Sequence, residues 1–172
     1  MFSKTDIEKY FMAEKQESLL FIIVGVAAII AAISFYFLLK SSFFKGAALP
    51  LLFIGIIELV VGYTVFKRSD DDRIRNVYAY DMNPSELRDK EIPRMKTVNR
   101  NFVIYRWVEL AFLVTGIILS MVFGQNPGRT FWYGFGIALS LQAGVLLVAD
   151  YFAEKRALIY TKGLQSYTRE TR

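Results

Sequence analysis

The sequence predicts an all-α membrane protein: an antiparallel four-helix transmembrane bundle with an N-terminal interfacial helix and a cytoplasmic helical connection between spans 2 and 3. Three observations carry that prediction. Of the 172 residues 54% are hydrophobic and only 22% are charged, a balance that a soluble domain of this size does not show. The apolar residues gather into four runs, each about 20 residues long, the length needed to cross a bilayer. The polar residues fall between and around these runs and are rich in Lys and Arg, as segments flanking membrane spans are.

Residues 1–17, MFSKTDIEKYFMAEKQE, place Thr5 and Glu8 in a capping-box spacing, with Ile7, Tyr10, Phe11 and Glu14 following at helical intervals. The stretch is too charged for a secretory signal and lacks a small-residue cleavage site. It reads as a short helix on the membrane surface that leads into the first span. Docking of a cytoplasmic partner is the other use open to it.

The first span covers residues 19–39, where Gly25, Ala28 and Ala32 make a narrow stripe that lets helix backbones approach closely. The second covers 47–66 and contains Pro50, Gly55, Glu58, Gly62 and Tyr63; only KSSFFKG separates the two, so they form a hairpin with Phe43 and Phe44 at the interface. Residues 67–101 are polar and alternate in sign. Asn83 and Pro84 signal a helix start, and Pro93 begins a second helix whose Met95, Val98 and Phe102 run into the third span. A compact connection with one short helix is expected. Asp70, Asp71 and Asp72 read as solvated loop charge, because consecutive carboxylates do not share a helical face and no calcium loop is completed. The Asp72 to Arg75 spacing allows a local salt bridge.

The third span covers 102–123 and is followed by a GQNPGR turn. The fourth covers 131–149, with Gly136, Ser140 and Gly144 recurring every four residues. In the tail, 150–172, the helix continues through YFAEKRALIY and is expected to fray beyond Gly163, with QSYTRETR disordered. Each half of the chain is a hairpin ending in a basic pair, Lys67 and Arg68 or Lys155 and Arg156, a faint sign of duplication.

Lys and Arg crowd the central loop and both termini, while the two hairpin turns hold only Lys40, Lys45 and Arg129. The positive-inside rule then places both termini and the central loop in the cytoplasm of a plasma membrane, a bacterial inner membrane. Tyr105, Trp107, Trp132 and Tyr133 are interfacial anchors. Lys96, Arg100 and Arg106 lie on related faces of the third helix, and Lys96 and Arg100 are assigned to anionic-lipid contact.

The chain has no Cys and no His. Thiol chemistry, haem ligation and the usual zinc or copper sites are excluded; no cofactor is called for and no metal site is assigned. The net charge of +5 is spread along the span ends, so membrane lipids are the expected partners and nucleic acid is not.

Charges inside spans cost at least a few kcal/mol each unless paired or wetted. Glu58 lies about 12 Å above the cytoplasmic end of its span at the helical rise per residue. Gln142 reaches the same level, Arg106 and Glu109 enter the same half from the third helix, and Tyr63 and Asp150 lie nearer its base. Two readings remain open. In one, Arg106 pairs with Glu58 or Glu109 and pins the helix register, with Gln142 filling the remaining hydrogen bonds. In the other, these residues line a vestibule open to the cytoplasm in which Glu58 binds a cation, a proton or a polar headgroup. The first favours a non-enzymatic membrane protein acting through a lipid or a protein partner, an accessory or immunity-type protein. The second favours a small channel or proton-coupled transporter. A lipid-modifying enzyme is a third possibility, but a paired Glu109 is a poor base. The small-residue faces serve packing within one bundle or between copies in a homo-oligomer.

Overall fold

The protein is described here by a computed structural model covering residues 2–170. Among the described residues every regular element is a helix. In chain order these are α1 (Lys4–Ser34), α2 (Ser42–Met82), the one-turn α3 (Pro84–Glu86), α4 (Ile92–Phe123) and α5 (Thr130–Glu170). The four long helices each contain a stretch long and apolar enough to cross a membrane, and only 11% to 33% of those stretches is buried within the chain.

The N-terminal segment departs from the sequence expectation. Ser3, not Thr5, caps α1: its backbone N–H and its Oγ both donate to Asp6 Oδ2 at 2.8 Å. Phe2 just before the cap and Ile7 in the next turn share one buried cluster, the hydrophobic staple that fixes where a helix starts. The helix then runs without a break into the apolar segment. Its Ile7 (0% exposed) and Phe11 (1%) do not rest on a surface; they pack with Ala79 of α2, Met95 of α4 and Tyr160 of α5.

After a π-helical turn, Phe35–Leu39, the chain reverses at Lys40, which takes a left-handed conformation (φ 53°). Ser41 then caps α2 by accepting the Phe44 N–H. Where a compact connection with one short helix was expected from residue 67, α2 continues to Met82. Ser69, Asp72, Asn76 and Ala79 recur at three- and four-residue intervals and are all buried, so the sign-alternating stretch is a helix with a polar inner face. Asp72 is therefore not solvated loop charge. It pairs with Arg75 at 2.7 Å, as the spacing allows, and lies beneath Arg94. The connection proper is only Asn83, α3 and the π-helical turn Leu87–Glu91. Pro84 occupies the first position of α3.

The far end of α5 also differs from expectation. It does not fray at Gly163: Leu164 is fully buried, Tyr167 stacks on Tyr80 with ring centroids 4.4 Å apart, and the helix reaches Glu170. Thr171 and Arg172, the end of the stretch expected to be disordered, lie outside the described residues.

Small residues hold the apolar halves together. A Cβ on Gly25 would lie 2.7 Å from the Gly55 carbonyl oxygen, and one on Gly62 would lie 2.8 Å from that of Ser18, so α1 and α2 touch backbone to backbone. Gly116 of α4 meets Gly136 and Ser140 of α5 in the same way, and Gly46 and Gly134 press α2 and α5 together at Phe131 and Phe43. Gly144 has nothing within 4 Å and joins no such contact. The small-residue faces are thus largely used within one chain.

Candidate functional site

The helices form two pairs, α1 with α2 and α4 with α5, joined along α2 and α5. Between α2 and α4 their apolar faces part, leaving a cleft of about 470 Å³ lined by residues of all four helices. Ile54, Ile57, Val61 and Val65 of α2 face Phe102, Val108 and Phe112 of α4 across it, with Leu146 of α5 behind. Helical spacing produces each wall. Residues 54, 57, 58, 61, 62 and 65 fall on one stripe of α2, and 98, 101, 102, 105, 108, 109 and 112 on one stripe of α4.

The same spacing delivers carboxyl groups into this apolar lining. Glu58 is 3% exposed, and its Oε2 has no hydrogen-bond partner among the described residues. Glu109 is 7% exposed and lies beside Asp150 of α5 in the lining, and its buried Oε2 has no hydrogen-bond partner among the described residues.

At the polar end of the cleft the carboxyls are matched. Glu17 of α1 is paired with Arg156 of α5. Glu14 accepts from Ser69 at 3.3 Å and lies 3.6 Å from Arg68. Burial pushes both carboxyls above the ordinary range, against the pull of Arg156 on Glu17 and of Arg94 and Arg68 on Glu14.

Below the cleft lies a closed core. Arg94 of α4 donates to both oxygens of Glu91, at 2.7 and 2.8 Å, and stands over the Phe11 ring of α1. Tyr160 of α5 donates to Glu91 at 3.2 Å and stacks on Tyr10 with centroids 4.2 Å apart. Burial, then the adjoining Glu91, pushes the Tyr160 phenol well above its ordinary value.

Of the residues singled out from sequence, Glu58, Glu109 and Asp150 come together in the cleft lining. Arg106 does not. Its side chain is 51% exposed and donates to Glu154 of α5 at 2.7 Å, so the expected pairing with Glu58 or Glu109 is absent. The reason is angular: Arg106 lies three residues before Glu109, but Tyr105 and Val108 hold the cleft face between them. Gln142 is 6% exposed with neither amide atom partnered, on α5 outside the cleft lining. Tyr63, 59% exposed, faces away from the cleft. Lys96 and Arg100 are exposed on α4, one turn apart. Sequence reasoning missed Glu14, Arg68 and Asn101 as lining residues, and Glu154 as the partner of Arg106. Glu154 follows Asp150 by one helical turn, a signal available once α5 is known to continue.

No protein-family model, no curated protein and no solved structure matches this chain.

Proposed function

We propose that the chain is an antiparallel four-span membrane protein that acts without catalysis, by holding a lipid or another amphiphile in the cleft between α2 and α4. Both termini and the polar extensions of the helices lie on the cytoplasmic side of a bacterial inner membrane. What supports the membrane placement is the ring of exposed Leu, Ile, Val and Phe on all four helices, which only an apolar solvent covers. Lys96 and Arg100 then meet anionic headgroups at the cytoplasmic surface.

The observation that carries the functional reading is the lining itself. An apolar cleft of this volume, with a few convergent polar groups, is the ordinary form of a small-molecule site. The test is photolabelling in phosphatidylcholine nanodiscs with a dodecyl alcohol carrying a mid-chain diazirine. Saturable labelling of residues 54–65 and 102–112 is expected, and it should fall in a Val61→Trp variant that fills the cleft. Labelling that never saturates and ignores the Trp removes the proposal.

The Glu109–Asp150 contact favours a second reading, proton-coupled transport, because a carboxyl pair that shares a proton can exchange it. Glu58→Gln would then abolish flux into proteoliposomes while leaving the protein folded. Unchanged flux would end this reading.

A further inference from the structure

We infer that the cleft is selective for an amphiphilic cation, a molecule of alkylammonium type whose charged head lies against Glu58 and Glu109 and whose apolar body lies along Val61 and Phe112. The inference rests on the cleft being the working surface and names the chemistry of what enters it.

Charge complementarity carries the argument. The carboxyls nearer the polar end of the cleft have cations of their own: Glu17 has Arg156, and Glu14 has Arg68. Among the described residues Arg68 is the only basic one in the lining, and its guanidinium lies beside Glu14. Glu58 is buried to 97% with no hydrogen bond at Oε2, and no Lys or Arg pairs with it among the described residues. Glu109 is similarly buried, and its neighbour is another acid. The deep part of the cleft therefore presents carboxyl oxygens with neither a counter-ion nor a hydrogen-bond donor among the described residues.

A buried acceptor left unmade is costly, and a ligand that supplies the missing donor or charge recovers that cost. An ammonium head supplies both. An anionic head, such as the phosphate of an ordinary phospholipid, would bring negative charge and further acceptors into a low-dielectric site whose one lining cation already lies beside Glu14, and be rejected. The walls on either side of the carboxyls are aliphatic and aromatic, with Phe102 and Tyr105 towards the polar end and Phe112 beyond Glu109. Aromatic faces also favour a cation over a neutral head.

The experiment uses the full chain in phosphatidylcholine nanodiscs and three photoprobes with the same dodecyl diazirine tail: an ammonium, an alcohol and a phosphate. The ammonium should label residues 54–65 and 102–112 saturably and be displaced by unlabelled dodecylammonium. In the Glu58→Gln/Glu109→Gln double variant its apparent affinity should drop about tenfold or more, while alcohol labelling stays unchanged. If ammonium and alcohol label equally and neither responds to the substitutions, the cation inference fails and the amphiphile cleft stands. Preferential labelling by the phosphate probe has the same meaning. If no probe labels the cleft saturably, both fall. Should the double variant not elute as a folded species, Glu58→Gln alone, which changes one oxygen for an amide, gives the same readout.

Discussion

The two ends of these helices handle buried charge in opposite ways. At the polar end, Glu91 is 2% exposed and is met by Arg94 from its own segment and by Tyr160 from α5; Arg94 in turn reaches towards Asp72 of α2 and the Phe11 ring of α1. One ion pair thus touches every long helix. In the apolar half, Glu58 is buried to nearly the same extent and nothing reaches its Oε2. The helices there meet through glycine and then part around a cleft. Buried charge that is ion-paired specifies how elements dock, even where Arg94 Nη1 is left without a hydrogen bond. Buried charge that is left over marks a place where something else binds. The contrast suits the polar end to fold specification and leaves the cleft as the place for the binding proposed above.

The largest effect that tests this division is expected from Arg94→Met. It leaves Glu91 buried without its counter-ion, a loss of about 3–5 kcal/mol when a buried pair is broken from one side. Denaturation in mild detergent should show a strongly lowered midpoint, and the loss should be concentrated in protection of α1 and α5 at the polar end. A variant as stable as the parent would mean that the ion pair does not hold the helices together.

Next in size is Gly116→Val. A Cβ there would lie 2.6 Å from the Ser140 amide nitrogen and 2.7 Å from the Gly136 carbonyl oxygen, so α4 must move away from α5. Overpacking of this kind costs about 1–3 kcal/mol. Gly144→Val, on α5 one turn beyond Ser140 but with open space around it, should cost far less. Equal effects at the two positions would contradict the packing of α4 on α5.

The sequence makes the second packing system legible and hides the first. Gly25, Gly55 and Gly136 announce close approach, because only a missing side chain allows it, and four apolar runs announce four long helices. The polar end is hidden because its inner face reads as polar. Ser69, Asp72 and Asn76 follow the helical period, but they lie among Lys, Arg and Asp that follow none, and hydrophobic periodicity sees no stripe there. The N-terminal helix shows an amphipathic face, yet sequence alone does not say whether protein or a membrane covers it. Glu58 and Glu109 stand out as charges within apolar runs, whereas the partner of Arg106 does not, since Glu154 lies beyond the apolar segment in what reads as a tail.

Glu58→Gln sharpens the comparison from the other side. Because no ion pair is broken, the substitution should change stability by less than about 1 kcal/mol, and it removes only the burden of a buried ionisable group. Thermal denaturation of parent and variant, with Arg94→Met beside them, places the two ends on one scale. A loss at Glu58 comparable to that at Arg94 would show that the glutamate is part of the scaffold, and the cleft would lose its claim to a free counter-charge.

The smallest expected effect is a pH dependence, and its sign follows from Glu14 and Glu17. Burial holds both carboxyls above their ordinary value of 4.5 in the folded protein. A group raised on folding binds its proton more tightly in the native state, so its contribution to stability is complete below the unfolded value and is lost as pH rises through the folded one. Asp6 works in the opposite sense. Its contact with Ser3 holds it below 3.8, so its contribution is present above that value and is lost as pH falls. Between these limits stability should decline gently from about pH 4.5 upward, and Glu14→Gln should flatten that slope. Denaturation midpoints collected across the interval decide the matter: a slope of opposite sign, or one indifferent to Glu14→Gln, would mean that Arg68 and Arg94 outweigh burial at this carboxyl. The mouth of the cleft would then hold fully ionised carboxylates.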